Sequence, residues 1–153
     1  MDNNYVLRGL RYALNISDST MVKIFSLGEY KISENDMLAL LRKEDDKDLL
    51  ICSNGALRSF LDGLIIHRRG EQENKSSEPQ KQTSLNNNVI LKKIRIALNF
   101  KEEEMLETFK LGELDVTKSE LTAIFRRPDH KNYKECGDQF IRKFLKGLGQ
   151  KNR

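Results

Sequence analysis

The sequence reads NNYVLRGLRYALN from Asn3 to Asn15 and NNVILKKIRIALN from Asn87 to Asn99. The two stretches lie 84 positions apart, and the same offset aligns residues 3–64 with residues 87–148 without a gap. This alignment contains 22 identities in 62 positions, where unrelated sequences of average composition would share roughly four. The chain is therefore a tandem duplication of one unit.

Each copy carries four short helical patterns in the same order. In the first pattern, apolar residues recur at the spacing of one helix face. Side chains that can accept hydrogen bonds from a first helical turn predict N-caps at Asn4 and Asn88 for the first helix, Ser17 for the second, and Ser33 and Thr117 for the third. The fourth helix is predicted to begin near Ser53. Because no stretch shows the alternation of a strand, we predict an all-α fold of two tandem four-helix units, about eight helices.

The fourth helical pattern contains a glycine in both copies, Gly63 and Gly147. A glycine inside a helix costs about 1 kcal/mol relative to alanine. Its presence at the same place in both copies therefore predicts a close helix crossing.

The duplication also sets the domain boundaries. We predict repeat unit 1 over residues 1–69, a polar flexible linker over 70–86, and repeat unit 2 with a basic C-terminal tail over 87–153. A unit of about 62 residues buries only about 60% of its unfolded surface, which leaves it marginally stable alone. We therefore expect the two copies to pack on each other about a pseudo-twofold axis, and two units that do not contact each other are the alternative.

The composition is that of a globular protein, with 38% hydrophobic and 33% charged residues in a chain of 153. The apolar runs are far shorter than the roughly 20 residues of a membrane span, and the N-terminus lacks the pattern of a signal peptide. The two cysteines, Cys52 and Cys136, are too few and too distant to indicate a disulfide framework. These features predict a cytoplasmic protein.

Charge is distributed unequally between the copies. Residues 1–66 hold eight basic and ten acidic residues, whereas residues 87–153 hold fifteen basic and ten acidic residues. A polyanion would therefore favour the second copy. The basic side chains that would contact it are Arg126, Arg127, Lys131, Lys134, Arg142, Lys143 and Lys146. Basic residues on the solvent faces of helices are also the ordinary case, and Tyr133 is the one evident aromatic side chain for stacking on bases.

The second and third helices, with Gly28 or Gly112 between them, superficially resemble a helix-turn-helix motif. Four residues before the glycine a small residue is expected, yet Ile24 and Thr108 stand there. Six residues after it an apolar residue is expected, yet Glu34 and Lys118 stand there. The sequence therefore argues against sequence-specific DNA reading by this pair of helices.

Few residues suggest catalysis. Cys52 and Cys136 each lie near the start of a fourth helix, where a thiol can become reactive, but a small buried hydrophobe at that position is the commoner case. The two histidines lie far apart in the sequence, and neither has a partner at the spacing of zinc ligands. The acidic run at residues 44–48 lacks the ligand order and the central glycine of a calcium-binding loop. We expect no catalytic residue, no metal and no cofactor.

Four arginines lie at the edge of predicted apolar stripes: Arg11 and Arg95 on the first helix of each copy, and Arg58 and Arg142 on the fourth. Such arginines usually lay their stems on the core and pair with a carboxylate, here Glu29 and Glu113 or Asp45 and Asp129. A structural role is therefore the leading interpretation, and anion binding is the alternative.

The motifs N-N-x-x-L-x-x-x-R-x-A-L-N, M-x-x-x-F-x-L-G-E, A-x-x-R and C followed by F-L-x-G-L together resemble the YehS-like family of small bacterial proteins. The resemblance covers residues 3–69 and 87–148. It implies a cytoplasmic bacterial protein whose domain usually occurs twice, and it implies no established activity.

Three functions follow as expectations, in decreasing order of support. The first is a non-catalytic interaction or regulatory module that binds a protein partner, because the chain has a repeat architecture and lacks a recognisable catalytic constellation. The second is a nucleic-acid-binding protein that uses the basic second repeat. The third is an enzyme with a reactive cysteine.

Overall fold

The computed structural model describes residues 1–70 and 84–152, and within these ranges all regular structure is helical. The first repeat contains α1 (Asn3–Ala13), α2 (Asp18–Leu27), α3 (Glu34–Leu40) and α4 (Asn54–Arg69). The second contains α5 (Asn87–Leu98), α6 (Glu102–Leu111), α7 (Lys118–Ile124) and α8 (Asp138–Lys151). The all-α fold of two tandem units is confirmed. The predicted linker lies outside the described residues apart from Gly70 and residues 84–86.

Most of the predicted caps are confirmed. The hydroxyl oxygens of Ser17, Ser33 and Thr117 each accept a hydrogen bond from a backbone N–H in the first turn of the following helix. The fourth helix begins near Ser53 as predicted, and the Ser53 hydroxyl caps it by accepting from the N–H of Ala56. The prediction for the first helix of each copy is wrong, because the caps are Asp2 and Asn86. Asn4 and Asn88 lie two residues inside these helices, where their side chains are buried and bind elsewhere.

Four helices end with one residue in the left-handed conformation: Asn15, Glu29, Asn99 and Glu113. After α2, the N–H of Glu29 donates to Ser26 O and that of Tyr30 donates to Phe25 O, while the Phe25 and Tyr30 rings pack 5.6 Å apart. This is a Schellman motif with its hydrophobic contact. The chain therefore turns sharply after α2 toward α3.

The predicted glycine crossings are confirmed. A Cβ at Gly63 of α4 would lie 1.8 Å from Ile24 O of α2, and one at Gly147 of α8 would lie 1.8 Å from Thr108 O of α6. Gly28 and Gly112, which follow α2 and α6, are equally close to the backbone of α4 and α8. Each repeat is thus built on a crossing where two backbones touch and a side chain would force them apart.

The two repeats are joined by exchange of their first helices. α1 packs more extensively on α8 of the second repeat than on α4 of its own, and α5 packs more extensively on α4 than on α8. Since α5 is the equivalent of α1 and α4 is the equivalent of α8, a pseudo-twofold axis relates the α1–α8 pairing to the α5–α4 pairing. The Asn152 side chain also donates to Ala13 O across the two copies. The copies therefore pack on each other, as their small size predicted.

Candidate functional site: the groove between α1 and α8

The buried asparagines determine the shape of the loop between α3 and α4. Asn4 Nδ2 donates to Leu40 O at 2.9 Å and to Leu50 O at 2.7 Å, and Asn4 Oδ1 accepts from the N–H of Cys52 at 2.9 Å. Asn88 makes the same three bonds to Ile124 O, Lys134 O and the N–H of Cys136. Through these hydrogen bonds, each asparagine links the end of the third helix to the start of the fourth.

The cysteines do not form a reactive centre. Both are buried, with 3% of Cys52 and 5% of Cys136 exposed. Burial, with a smaller contribution from Asp2, raises the pKa of Cys52 to about 11, and burial with Asp138 raises that of Cys136 to about 12. A protonated, shielded thiol is a poor nucleophile. Within residues 1–70 and 84–152, no group of three or more His, Cys, Asp or Glu side chains is arranged to hold a metal ion.

Arg11 and Arg95 have other partners than expected. Arg11 pairs with Asp18 at 2.6 Å, and neither Glu29 nor Asp45 is its carboxylate. Arg95 donates from Nε to Phe100 O and lies 5.0 Å from the centre of the Phe125 ring. The expected pairing with Glu29, Glu113, Asp45 or Asp129 is thus wrong for both, because the turn after the first helix brings closer partners. Arg58 lies half-buried on α4.

The seven predicted basic residues divide into two groups. Arg126, Arg127, Lys131 and Lys134 lie at the end of α7 and in the loop after it, whereas Arg142, Lys143 and Lys146 lie on α8. Three have carboxylate partners, since Lys134 pairs with Glu120, Lys146 with Glu113 and Arg127 with Asp129. These ion pairs reduce the positive charge that the second repeat offers to a polyanion.

An open groove of about 380 Å³ lies between α1 and α8, the helices that join the two repeats. We name it the α1–α8 groove. On one side α1 contributes Tyr5, Gly9 and Tyr12, which are one helix turn apart. On the other side α8 contributes Arg142, Leu145, Lys146, Gly149 and Gln150.

Gly9 sets the depth of the groove. A Cβ at this position would lie 2.8 Å from Leu145 Cδ1, so glycine allows the Leu145 side chain to approach the α1 backbone and form the floor. Tyr12 is 64% exposed, and the Arg142 guanidinium lies 6.0 Å from the centre of the Tyr5 ring. The groove is therefore apolar at its floor and aromatic and cationic at its rims.

At the pseudo-equivalent place between α5 and α4, an ion pair occupies the positions that correspond to Gly9 and Lys146. Lys93 occupies the position of Gly9 and Asp62 that of Lys146, and the two side chains form an ion pair at 2.5 Å with only 15% and 28% of their surface exposed. Val89 and Ile96 replace Tyr5 and Tyr12, and Ile65 replaces Gly149. The same helix pairing thus carries a half-buried ion pair on one side of the molecule and an open groove on the other.

Sequence reasoning placed Arg142 and Lys146 among the candidate site residues but missed the tyrosines and Gly9. The available signal was the set of aligned positions at which the two copies differ in size and charge. That signal could not be used without knowing that α1 lies against α8, because residues 5–12 and 142–150 are far apart in sequence.

The comparisons with known proteins agree with the repeat structure. The family described as "Protein of unknown function (DUF1456)" matches residues 3–70 and again residues 87–153. The chain belongs to the DUF1456 family. The uncharacterized protein YehS of Escherichia coli (strain K12) is 41% identical to this chain over 149 residues, covering 97% of this chain and 94% of YehS.

No solved structure matches the chain. None of the helices in residues 1–70 and 84–152 combines the length and the apolar character that crossing a membrane requires. DUF1456 brings no assigned activity with it, so the case for a function depends on the groove.

Proposed function

We propose that this DUF1456 chain is a non-catalytic interaction module whose α1–α8 groove binds a protein partner. The observation that carries the proposal is the contrast between the two helix pairings: Lys93 and Asp62 fill one, while Gly9 and Lys146 leave the other open. At this helix pairing the two copies have diverged at a surface, whereas the close crossings at Gly63 and Gly147 are kept in both.

The chemistry of the rims supports a protein partner. Tyrosine and arginine are among the residues most enriched at positions that dominate protein-protein binding, because both offer a large flat surface with a polar end. Tyr5, Tyr12 and Arg142 stand together along about 10 Å of groove, given a rise of about 1.5 Å per residue. A stable interface usually buries about 1,600 Å² in total, so the partner extends beyond the groove.

Site-specific photocrosslinking in the native host tests the proposal. A photoreactive phenylalanine derivative is placed at Tyr12 and, as a matched control, at Leu111, which is 42% exposed on α6 and lies outside the groove. We expect position 12, and not position 111, to give discrete adducts with one partner protein. These adducts should disappear when the Arg142→Ala substitution is added. Identical adducts from both positions, or none from position 12, would contradict the proposal.

Nucleic-acid binding has less support. The Arg126, Arg127, Lys131 and Lys134 group shares its surface with Glu120 and Asp129, which pair with two of its members. Retention on immobilised DNA or RNA at low salt, lost steeply as salt rises, would favour this alternative. A chain that flows through at low salt would remove it.

A further inference from the structure

The loop between α3 and α4 carries an unusual exposed surface. Residues 44–51, which we name the acidic loop, read EDDKDLLI. Leu50 is 41% exposed and Ile51 is 79% exposed. Large apolar side chains next to a cluster of carboxylates thus face solvent in the first repeat.

The acidic loop has a fixed conformation. Leu50 N donates to Ala39 O at 3.1 Å, and Leu50 O accepts from the buried Asn4. Asp46 accepts from the N–H of Asp48 and from Arg42, and these two contacts keep the pKa of Asp46 below its usual value. A loop held in this way loses little further conformational entropy when it binds.

The same loop in the second repeat has the opposite character. Lys134 occupies the position of Leu50, and Glu135 occupies that of Ile51. The acidic run of the first repeat is replaced by PDHKN at residues 128–132. Asn88 makes the same hydrogen bonds to this loop as Asn4 makes to the acidic loop. The loop therefore keeps its conformation without exposed apolar residues at the positions of Leu50 and Ile51.

The acidic loop and the α1–α8 groove are complementary. The described residues that line the groove include the cations Arg142 and Lys146 and no carboxylate, and its floor is apolar. Two acids outside this lining act on it: Glu113, which bonds Lys146 at 2.8 Å and is 71% exposed, and Asp138, whose pKa is lowered by a hydrogen bond from Asn87 and by charges that include Arg142. An exposed pair of this kind exchanges readily for another carboxylate.

We propose that the α1–α8 groove of one molecule binds the acidic loop of a second copy of this chain. Ile51 and Leu50 lie on the apolar floor between the tyrosines, and the carboxylates of residues 44–48 face Arg142 and Lys146. The inference rests on the proposed function, since it takes the groove to be a protein-binding surface and names one occupant.

The arrangement favours a closed dimer over an open chain. Asn4 holds the acidic loop, and its neighbour Tyr5 lines the start of the groove, so both surfaces lie at the same end of α1. Two molecules can then insert their loops reciprocally about a twofold axis, which doubles the buried surface. Reciprocal insertion satisfies both complementary surfaces of each molecule.

Sedimentation equilibrium across a range of concentrations tests this proposal. The wild-type chain has a mass of 17.8 kDa, and we expect a concentration-dependent shift to twice that mass. Raising the salt from about 0.01 to about 1 M shortens the Debye length from about 30 to about 3 Å and should weaken the dimer.

Two variants should be monomeric at concentrations where the wild type is dimeric. Ile51→Glu introduces the residue that stands at the equivalent position of the second repeat. Gly9→Lys combined with Lys146→Asp places in the groove the ion pair that closes the α4–α5 contact. Leu111→Glu, an equally polar change at an exposed leucine outside both surfaces, is the control and should dimerise as the wild type does.

Circular dichroism of each variant verifies that it is folded. A wild-type chain that stays monomeric at its highest soluble concentration overturns the inference, as does a dimer that both groove and loop variants leave intact. Neither result removes the proposed function, because crosslinks from position 12 to a different protein would persist. Conversely, crosslinks from position 12 solely to a second copy of this chain support the inference and identify the partner.

Discussion

At the scale of single residues, the most consequential side chains are the paired asparagines. Asn4 and Asn88 match the pattern of an N-cap because they stand at the start of a helix and are followed by apolar residues. In the structure they are buried, and each bonds one carbonyl at the end of the third helix and one carbonyl and one N–H of the loop after it. Buried backbone groups in such loops have few other partners, so these asparagines fix the loop.

Replacing Asn4 with alanine should destabilise the protein by about 3 kcal/mol, because two carbonyls and one N–H are left without partners. Its neighbour Asn3 is the matched control, since its hydrogen bonds to Cys52 O and Asn54 are partly or fully exposed. Asn3→Ala should cost about 1 kcal/mol. Urea unfolding followed by circular dichroism measures both values, and equal losses would contradict this role for Asn4.

The thiols of Cys52 and Cys136 should react slowly. A pKa of about 11 for Cys52, raised from 9.0 mainly by burial, lowers the thiolate fraction at neutral pH. Two pKa units correspond to a thiolate fraction about 100-fold smaller. Alkylation by iodoacetamide at pH 8 should therefore be at least about 100-fold slower in the folded protein than in urea. Comparable rates in both states would show that the thiols are accessible.

The same shift fixes the direction of a pH effect on stability. Because the folded-state pKa values of both thiols are raised, their contribution is fully present below pH 9 and is lost as the pH rises through about 11 and 12. The free energy of unfolding should decrease over this window, and Cys52→Ala should reduce the decrease. A stability that does not fall above pH 9 would contradict the assignment.

At the scale of helices, the glycine crossings hold each repeat together. The helices α2 and α4 approach so closely that the missing Cβ of Gly63 would overlap Ile24 O. The mid-helix glycine, unfavourable for α4 by itself, is the condition for this contact. Helix propensity and packing thus oppose each other at one position, and packing prevails.

Gly63→Ala should destabilise the protein by about 3 kcal/mol or more, because the two backbones must separate. Gly55 lies in the first turn of the same helix, and a Cβ there would meet only Ser53 Oγ at 3.9 Å. Gly55→Ala should therefore leave stability unchanged or raise it by up to about 1 kcal/mol. Thermal and urea unfolding of the two variants provide the comparison, and a harmless Gly63→Ala would refute the close crossing.

At the scale of the whole molecule, the exchange of first helices makes the two repeats one folding unit. α1 packs mainly on α8, and α5 packs mainly on α4. Neither repeat keeps its main first-helix contact without the other. A unit of this size gains a sufficient core only by sharing it.

The chain should therefore unfold in one cooperative transition. A cavity made in the first repeat by Phe60→Ala should lower the hydrogen-exchange protection of α6 in the second repeat as much as that of α2 in the first. Hydrogen exchange followed by mass spectrometry of fragments from both helices measures this. Protection lost from α2 alone would show that the repeats unfold independently.

The sequence alone determined the duplication, the helix order, most of the caps and the glycine crossings, because each depends on residues near in the chain or on the internal repeat. Only the tertiary structure decided that α1 lies against α8 and that Asn4 and Asn88 bind the loops that precede α4 and α8. It also decided that an ion pair occupies the α4–α5 contact while the α1–α8 groove is open. Those features arise from contacts between residues up to 139 positions apart, as with Ala13 and Asn152. Local sequence patterns do not indicate which apolar faces pack together, because the hydrophobic effect favours burial against any apolar surface and does not select a particular one.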